Sequence, residues 1–334
     1  MRVYLLVAAL LIGGCAIDRV RIERAGEVVE QGGPLIAASS DLLNTIAATS
    51  REASIELALA DPLCDWPEIN IATGTPATSL CDPASSSHVT FTRIETTSFA
   101  PTVQLIAALS GYVAAVDAVV TDSASDQRMN LAKAKATIEG IIGGISSATG
   151  AHNPVAGLGA NQQAALNGIV AMIDTLARES DQARQLHAVE ANSPKLREVT
   201  AALRRDLENW SNLALISELD TLQTVQTMRW QRDRMLRLKP SRTSDERRSL
   251  LDDNSRRALL NRRLETEGRL VAARQLPKTL SQAVSDFEAA HDSYVNALED
   301  KALTPENRRR VAQVTRERLR ESLALLAQTI AAFK

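Results

Sequence analysis

Aromatic residues are scarce in this chain: Phe, Tyr and Trp make up only 3% of 334 residues. Strands draw on aromatic and β-branched side chains, so an apolar set dominated by Ala and Leu points to close-packed helices instead of a large sheet. Histidines number four and cysteines three, which leaves little material for a metal centre. A dominant sign of charge is missing too. The net charge of −2 gives no overall attraction for nucleic acid, and nucleic acid is not an expected partner. The balance is local, however. Residues 16–125 carry 14 acidic and 5 basic side chains, whereas 228–275 carry 14 basic and 7 acidic.

The usual enzyme motifs are absent. Gly144-Ile145-Ser146-Ser147-Ala148 lacks the closing glycine of an esterase nucleophile elbow. Gly157-Leu158-Gly159 lacks the third glycine of a dinucleotide turn, and no Gly-Lys-Ser/Thr phosphate loop occurs. Glu288 precedes His291 by three residues, the Glu-x-x-His unit of carboxylate-bridged di-metal bundles, but no other histidine has such a glutamate. The expectation is therefore no catalytic residue, no metal, no cofactor and no small-molecule substrate. A di-metal helical-bundle enzyme is the weaker alternative.

The longest informative pattern lies at the N-terminus. Arg2 precedes an unbroken apolar run from Val3 to Ile12, and Gly13-Gly14-Cys15 follows. The run is half of the roughly 20 residues needed to span a membrane as a helix, so it reads as a removable signal. Ile12, Gly13, Gly14 and Cys15 together resemble the lipobox of a bacterial lipoprotein precursor. That resemblance implies diacylation of the Cys15 thiol, cleavage before it and acylation of the new amine. Ala16 in place of Asp implies delivery to the outer membrane in the Gram-negative sorting pattern. The implied division is a signal peptide over 1–14, a lipidated tether over 15–33 and a helical domain over 34–334.

Cys64 and Cys81 remain, and in an exported chain two cysteines pair in one way. They flank a stretch rich in Pro, Thr and Gly within 62–98. Closing a loop of this size stabilises a fold by about 3 kcal/mol on the chain-entropy estimate. A redox or metal role would want a CxxC spacing or a neighbouring ligand. Residues 68–71 and 88–94 alternate weakly and suggest a small hairpin.

Elsewhere the periodicity is helical. A helix is expected from Leu35, after Gly32-Gly33-Pro34, to Ala60. Phe99, Val103, Ile106, Ser110, Val113, Asp117 and Val120 form one seam of the next helix; Leu105, Leu109, Tyr112, Val116 and Val119 form a second. Two stripes of small residues then recur at every fourth position, Ala132-Ala136-Gly140-Gly144-Ala148 and Ala156-Ala160-Ala164-Gly168. Such stripes let helices approach closely, in water or in lipid. Ser193-Pro194 reads as an N-cap and first turn, opening a helix to Leu238 with Leu196, Val199, Leu203, Leu207, Trp210, Ala214 and Ser217 on one face. Thr243 and Glu246 make a capping box, and Pro277 should break or kink the helix that follows. Leu280, Val284, Phe287, His291, Tyr294 and Leu298 form another seam. Thr304-Pro305 opens the last helix, with Leu319, Leu323, Leu326, Ile330 and Phe333 inward. The fold expected is all-α, an elongated antiparallel bundle of about six or seven helices with a small disulfide-closed loop or β-hairpin.

One charged cluster stands out as a candidate anion- or partner-binding site. Arg229, Arg232, Arg234, Arg237, Lys239, Arg242, Arg247 and Arg248 surround the turn at Pro240. The functional expectation is a non-enzymatic scaffold or adaptor, lipid-anchored in the cell envelope at the periplasmic face of the outer membrane and binding a protein partner. The alternative is a membrane-active, helical pore-forming protein exposing 99–122 and 131–173 to lipid.

Overall fold

A computed structural model describes residues 2–60, 68–72, 88–94, 96–121, 124–148, 158–179, 181–248, 250–299 and 305–333. The architecture is all-α. Its helices are α1 (Arg2–Ala60), α2 (Ala100–Thr121), α3 (Ala124–Ala148), α4 (Leu158–Arg178), α5 (Gln182–Ala191), α6 (Ser193–Asn209), α7 (Ile216–Leu238), α8 (Ser244–Arg248), α9 (Asp253–Glu299) and α10 (Pro305–Ala331). A π-helical segment, Trp210–Leu215, joins α6 to α7. One short antiparallel pair, β1 (Glu68–Ala72) and β2 (His88–Thr92), is registered with Asn70 opposite Thr90. Cys64 and Cys81 lie outside the described residues, as does the turn between the strands.

The chain divides into two compact units. Unit 1 comprises 1–41, 98–208 and 278–328. Within it α2 packs against α3, α4 and α5, and α3 against α4. Unit 2 comprises 42–97, 209–277 and 329–334.

In unit 1, α2 is the central helix. Thr102, Leu105, Ile106, Ala108, Leu109, Tyr112, Val113, Ala115, Val116, Ala118 and Val119 are all buried. Among its described side chains only a narrow line at Val103, Ala107, Ser110, Ala114 and Asp117 is exposed. The second expected seam is thus entirely interior, while Val103, Ser110 and Asp117 of the first face outward. Gly32 of α1 lies against Val113, where an added Cβ would come within 2.7 Å of Cγ2. This close approach explains why Gly32-Gly33-Pro34 does not open the helix at Leu35. The glycine is used for packing, and α1 runs unbroken through Pro34.

The described part of the first stripe does not face a neighbour; in the second, Gly168 lies against Val199, where an added Cβ would come within 3.6 Å of Cγ2, and the side chains of positions 144, 148, 156 and 160 lie outside those described. Ala132, Ala136 and Gly140 are exposed, and a Cβ at Gly140 would meet nothing within 4 Å. On α4, Ala164 is also exposed, whereas Leu166, Ile169, Met172, Ile173 and Leu176 are buried. Area decides this. Burying Leu131 and the large side chains of α4 removes far more apolar surface from water than burying alanine methyls.

Further details depart from expectation locally. Asn192, not Ser193, precedes α6 and offers its carbonyl to the Leu196 N–H at 2.9 Å, which releases the Ser193 hydroxyl for another partner. Of the two outcomes expected at Pro277, a break does not occur: it sits inside α9, which continues to Glu299. Ser217 is exposed because the wider π turn shifts the inward face by one residue, to Glu218, Leu219 and Leu222. In the two C-terminal seams Leu280, Val284, Phe287, His291, Leu319, Leu323, Leu326, Ile330 and Phe333 are buried as expected, while the side chains of Tyr294 and Leu298, and Thr304, lie outside those described. The capping box at Thr243 and Glu246 closes in both directions, at 2.9 and 3.2 Å.

Replacing Gly32 by Leu should destabilise the protein by about 1–3 kcal/mol through overpacking against Val113. Gly140→Ala should stabilise it by up to about 1 kcal/mol through helix propensity. Thermal unfolding of the two variants checks the pair, and equal midpoints would refute the assignment of which glycine is packed.

Candidate functional site

The Glu288–His291 unit is brought to α6 within unit 1, but its two members find different partners. His291 Nδ1 lies 2.8 Å from Ser193 Oγ, and the Thr200 hydroxyl donates to Glu288 Oε1 at 2.5 Å. Arg197 and Asp292 pair beside them at 3.1 Å. His291 is 1% exposed; burial, aided by the Arg197 charge, pushes its pKa down to about 4. The imidazole is therefore neutral and serves as a core hydrogen-bonding group. Among the described residues no three His, Cys, Asp or Glu side chains converge as metal ligands.

Two buried carboxyls were not singled out from the sequence. In unit 1, Asp206 of α6 accepts from Gln162 Nε2 of α4 at 2.5 Å, and Thr102 of α2 lies 3.5 Å away. Burial pushes Asp206 up to about 6, against the opposing effect of those hydrogen bonds. In unit 2, Glu218 accepts from the Ser50 hydroxyl at 3.2 Å, and that same oxygen accepts from the Ile94 N–H at 2.8 Å. Burial raises Glu218 to about 8. The signal for Asp206 was its place beside Leu203 and Leu207. Glu218 became inward only through the π segment, which no periodicity reveals.

The basic cluster, all of it in unit 2, separates into two groups. Arg229 pairs with buried Glu56, which also takes Arg262 of α9. Arg237 binds Asp233 at 2.9 Å and the carbonyl of Leu251. Arg242 closes the end of α7 by donating to the Leu236 and Arg237 carbonyls, groups that a helix C-terminus otherwise leaves without partners. Lys239 pairs with Glu246 at 2.6 Å, which together with the Thr243 N–H lowers the Glu246 pKa. Arg237, Lys239 and Arg242 hold the turn together, while Arg229 ties α7 to α1. Arg232 and Arg234 are exposed and make no ion pair among the described residues. Arg247 reaches only the Arg242 carbonyl, at 3.2 Å. Arg248 lies 3.6 Å from Asp245 with both side chains more than 80% exposed, a pair that solvent screens.

Asp233 is the hub of this turn. Besides Arg237 it forms an ion pair with Arg256 at 3.1 Å and accepts from the Leu251 N–H at 3.0 Å. Arg256 in turn lies over the Trp230 ring at 5.0 Å.

Unit 2 also carries a half-open groove of about 770 Å³. Its walls include Thr45, Thr49 and Glu52 of α1, Gly268 and Arg269 of α9, and Phe333. Arg269 is held by Glu52 at 2.7 Å and by Thr49 at 3.0 Å, so its charge is already matched within the wall. No protein-family model, curated protein or solved structure matches the chain.

The raised carboxyls fix a pH dependence. A folded-state pKa above the unfolded value means stability is full below about 4.5 for Glu218 and declines until about 8. For Asp206 the decline runs from 3.8 to about 6. Glu218→Gln should therefore unfold at a higher temperature than the parent at pH 9 and match it at pH 4. A constant difference across that range would overturn the assignment.

Removing the hub should be costly. Asp233→Ala is expected to lose about 3 kcal/mol, because a buried ion-pair partner is deleted. Arg234→Ala should stay within about 0.5 kcal/mol of the parent. Denaturant unfolding of both variants measures the contrast.

Proposed function

We propose that this chain is a non-enzymatic, lipid-anchored scaffold of the cell envelope whose helical bundle holds a protein partner along α9 in unit 2. The supporting observation is a line of large apolar side chains turned to solvent. Leu260, Leu264 and Val271 are 38, 66 and 58% exposed. Steps of four and seven residues keep them on one side of a helix. Gly268 falls on the same line and borders the 770 Å³ groove, so a bulky partner side chain has room to enter there. An amphipathic helix laid along this face would bury apolar area at about 25 cal/mol per Å².

Anchoring rests on the resemblance of Ile12-Gly13-Gly14-Cys15 to a lipobox, and the outer-membrane address on Ala16. The membrane-active alternative draws on Ala100–Val119, the one window among the described residues long and apolar enough to cross a membrane. Scaffolding is preferred because the large side chains of that window are spent on the core of unit 1, leaving a mainly small or polar line exposed.

Metabolic labelling with palmitate should mark the parent chain and not Cys15→Ser. A photo-crosslinking residue at position 264 should give a discrete protein adduct in cells, lost when Leu260 and Val271 become Ser. Palmitate label persisting in Cys15→Ser would refute the anchor; absence of an adduct at 264, with the chain folded and labelled, would refute the partner surface.

A further inference from the structure

The chain around the turn at Pro240 carries an uneven charge. Between Arg229 and Arg248 there are eight cations and three acids, Asp233, Asp245 and Glu246. Asp233 is buried and committed to Arg237 and Arg256. Glu246 is committed to Lys239 and the Thr243 N–H. Within that stretch only Asp245 remains to face the exposed guanidinium groups of Arg232, Arg234, Arg247 and Arg248; of the two acids just beyond it, Asp252 accepts from the Ser255 N–H at 2.6 Å and Asp253 lies 4.0 Å from Arg256.

Two large apolar side chains share this tip. Met235 and Leu238 are each 68% exposed, one turn apart on the last part of α7 and next to Arg234 in sequence or at helical spacing. The α7 end itself is stiffened by Arg242 on its terminal carbonyls, so these groups are displayed on an ordered element.

We propose that this tip of unit 2 contacts the headgroups of an anionic phospholipid surface. Planar guanidinium groups suit phosphate oxygens, which they bind in a two-pronged fashion. Long flexible apolar side chains beside arginines match the boundary between headgroups and acyl chains. An acidic protein would satisfy the arginines and leave Met235 and Leu238 in water; a lipid interface satisfies both. The inference is separate from the anchor and from the α9 partner surface, since neither Cys15 nor Leu264 takes part.

Vesicle flotation of the full chain carrying Cys15→Ser, and so lacking any acyl anchor, tests it. The chain should float with phosphatidylcholine vesicles containing phosphatidylglycerol and not with phosphatidylcholine alone. Raised salt should release it, because exposed charges are screened beyond about 8 Å already at physiological ionic strength. Arg232→Glu with Arg234→Glu should lower apparent affinity about tenfold or more. Met235→Ser with Leu238→Ser should weaken binding while leaving its salt dependence in place. Unchanged circular dichroism should accompany both double variants, since none of the four side chains is buried. Equal flotation with neutral vesicles, or charge reversal without effect, would overturn the proposal. So would a chain that ignores anionic vesicles yet binds poly-glutamate, which would assign the tip to acidic proteins.

Discussion

Arginine pairing to buried carboxylates is the constraint that organises unit 2. A carboxylate taken out of water loses hydration worth several kcal/mol and must recover it from donors inside the protein. Glu56 does so with Arg229 and Arg262, and Asp233 with Arg237, Arg256 and a backbone N–H. Each acid therefore gathers side chains from distant parts of the sequence, and the fork of each guanidinium allows little sliding. The register of α1, α7 and the first part of α9 within this unit follows from those contacts more than from apolar packing, which is non-directional. Where a buried acid meets only neutral donors the outcome differs. Asp206 has an amide and a hydroxyl, Glu218 a hydroxyl, and in both the cost of burial appears as a raised pKa.

How much of this was legible depends on side-chain size. Seams of Leu, Val and Phe, such as Leu280 to Phe287 and Leu319 to Phe333, were read correctly because burying large apolar groups outweighs every competing preference. The capping box at Thr243 was legible for another reason: its hydrogen bonds are local and need only the right two residues three apart. Small residues misled. A stripe of Ala and Gly is compatible with tight packing or with no packing, and its own sequence does not state which; on α3 the larger Leu131 took the buried side. Gly32 went the other way, reading as a breaker and acting as a contact with Val113. The π segment at Trp210–Leu215 was invisible in principle, since one widened turn changes no composition and yet rotates everything after it.

The basic cluster shows the same limit at the level of function. Its eight cations are alike in sequence, and a count of charge treats them alike. Structure divides them by what lies within reach of each. Two buried carboxylates, Glu56 and Asp233, claim Arg229 and Arg237, the half-buried Glu246 claims Lys239, and the bare carbonyls at the end of α7 claim Arg242. All four are committed to partners within the fold, and so they are unavailable to a ligand without cost to it. Arg232 and Arg234 flank Asp233, but the helix turns them away from it and into solvent. Helical phase within a single turn thus separates cations that build the tip from cations that the tip displays, and a sequence reading that names the cluster as a unit joins two populations with different physical roles.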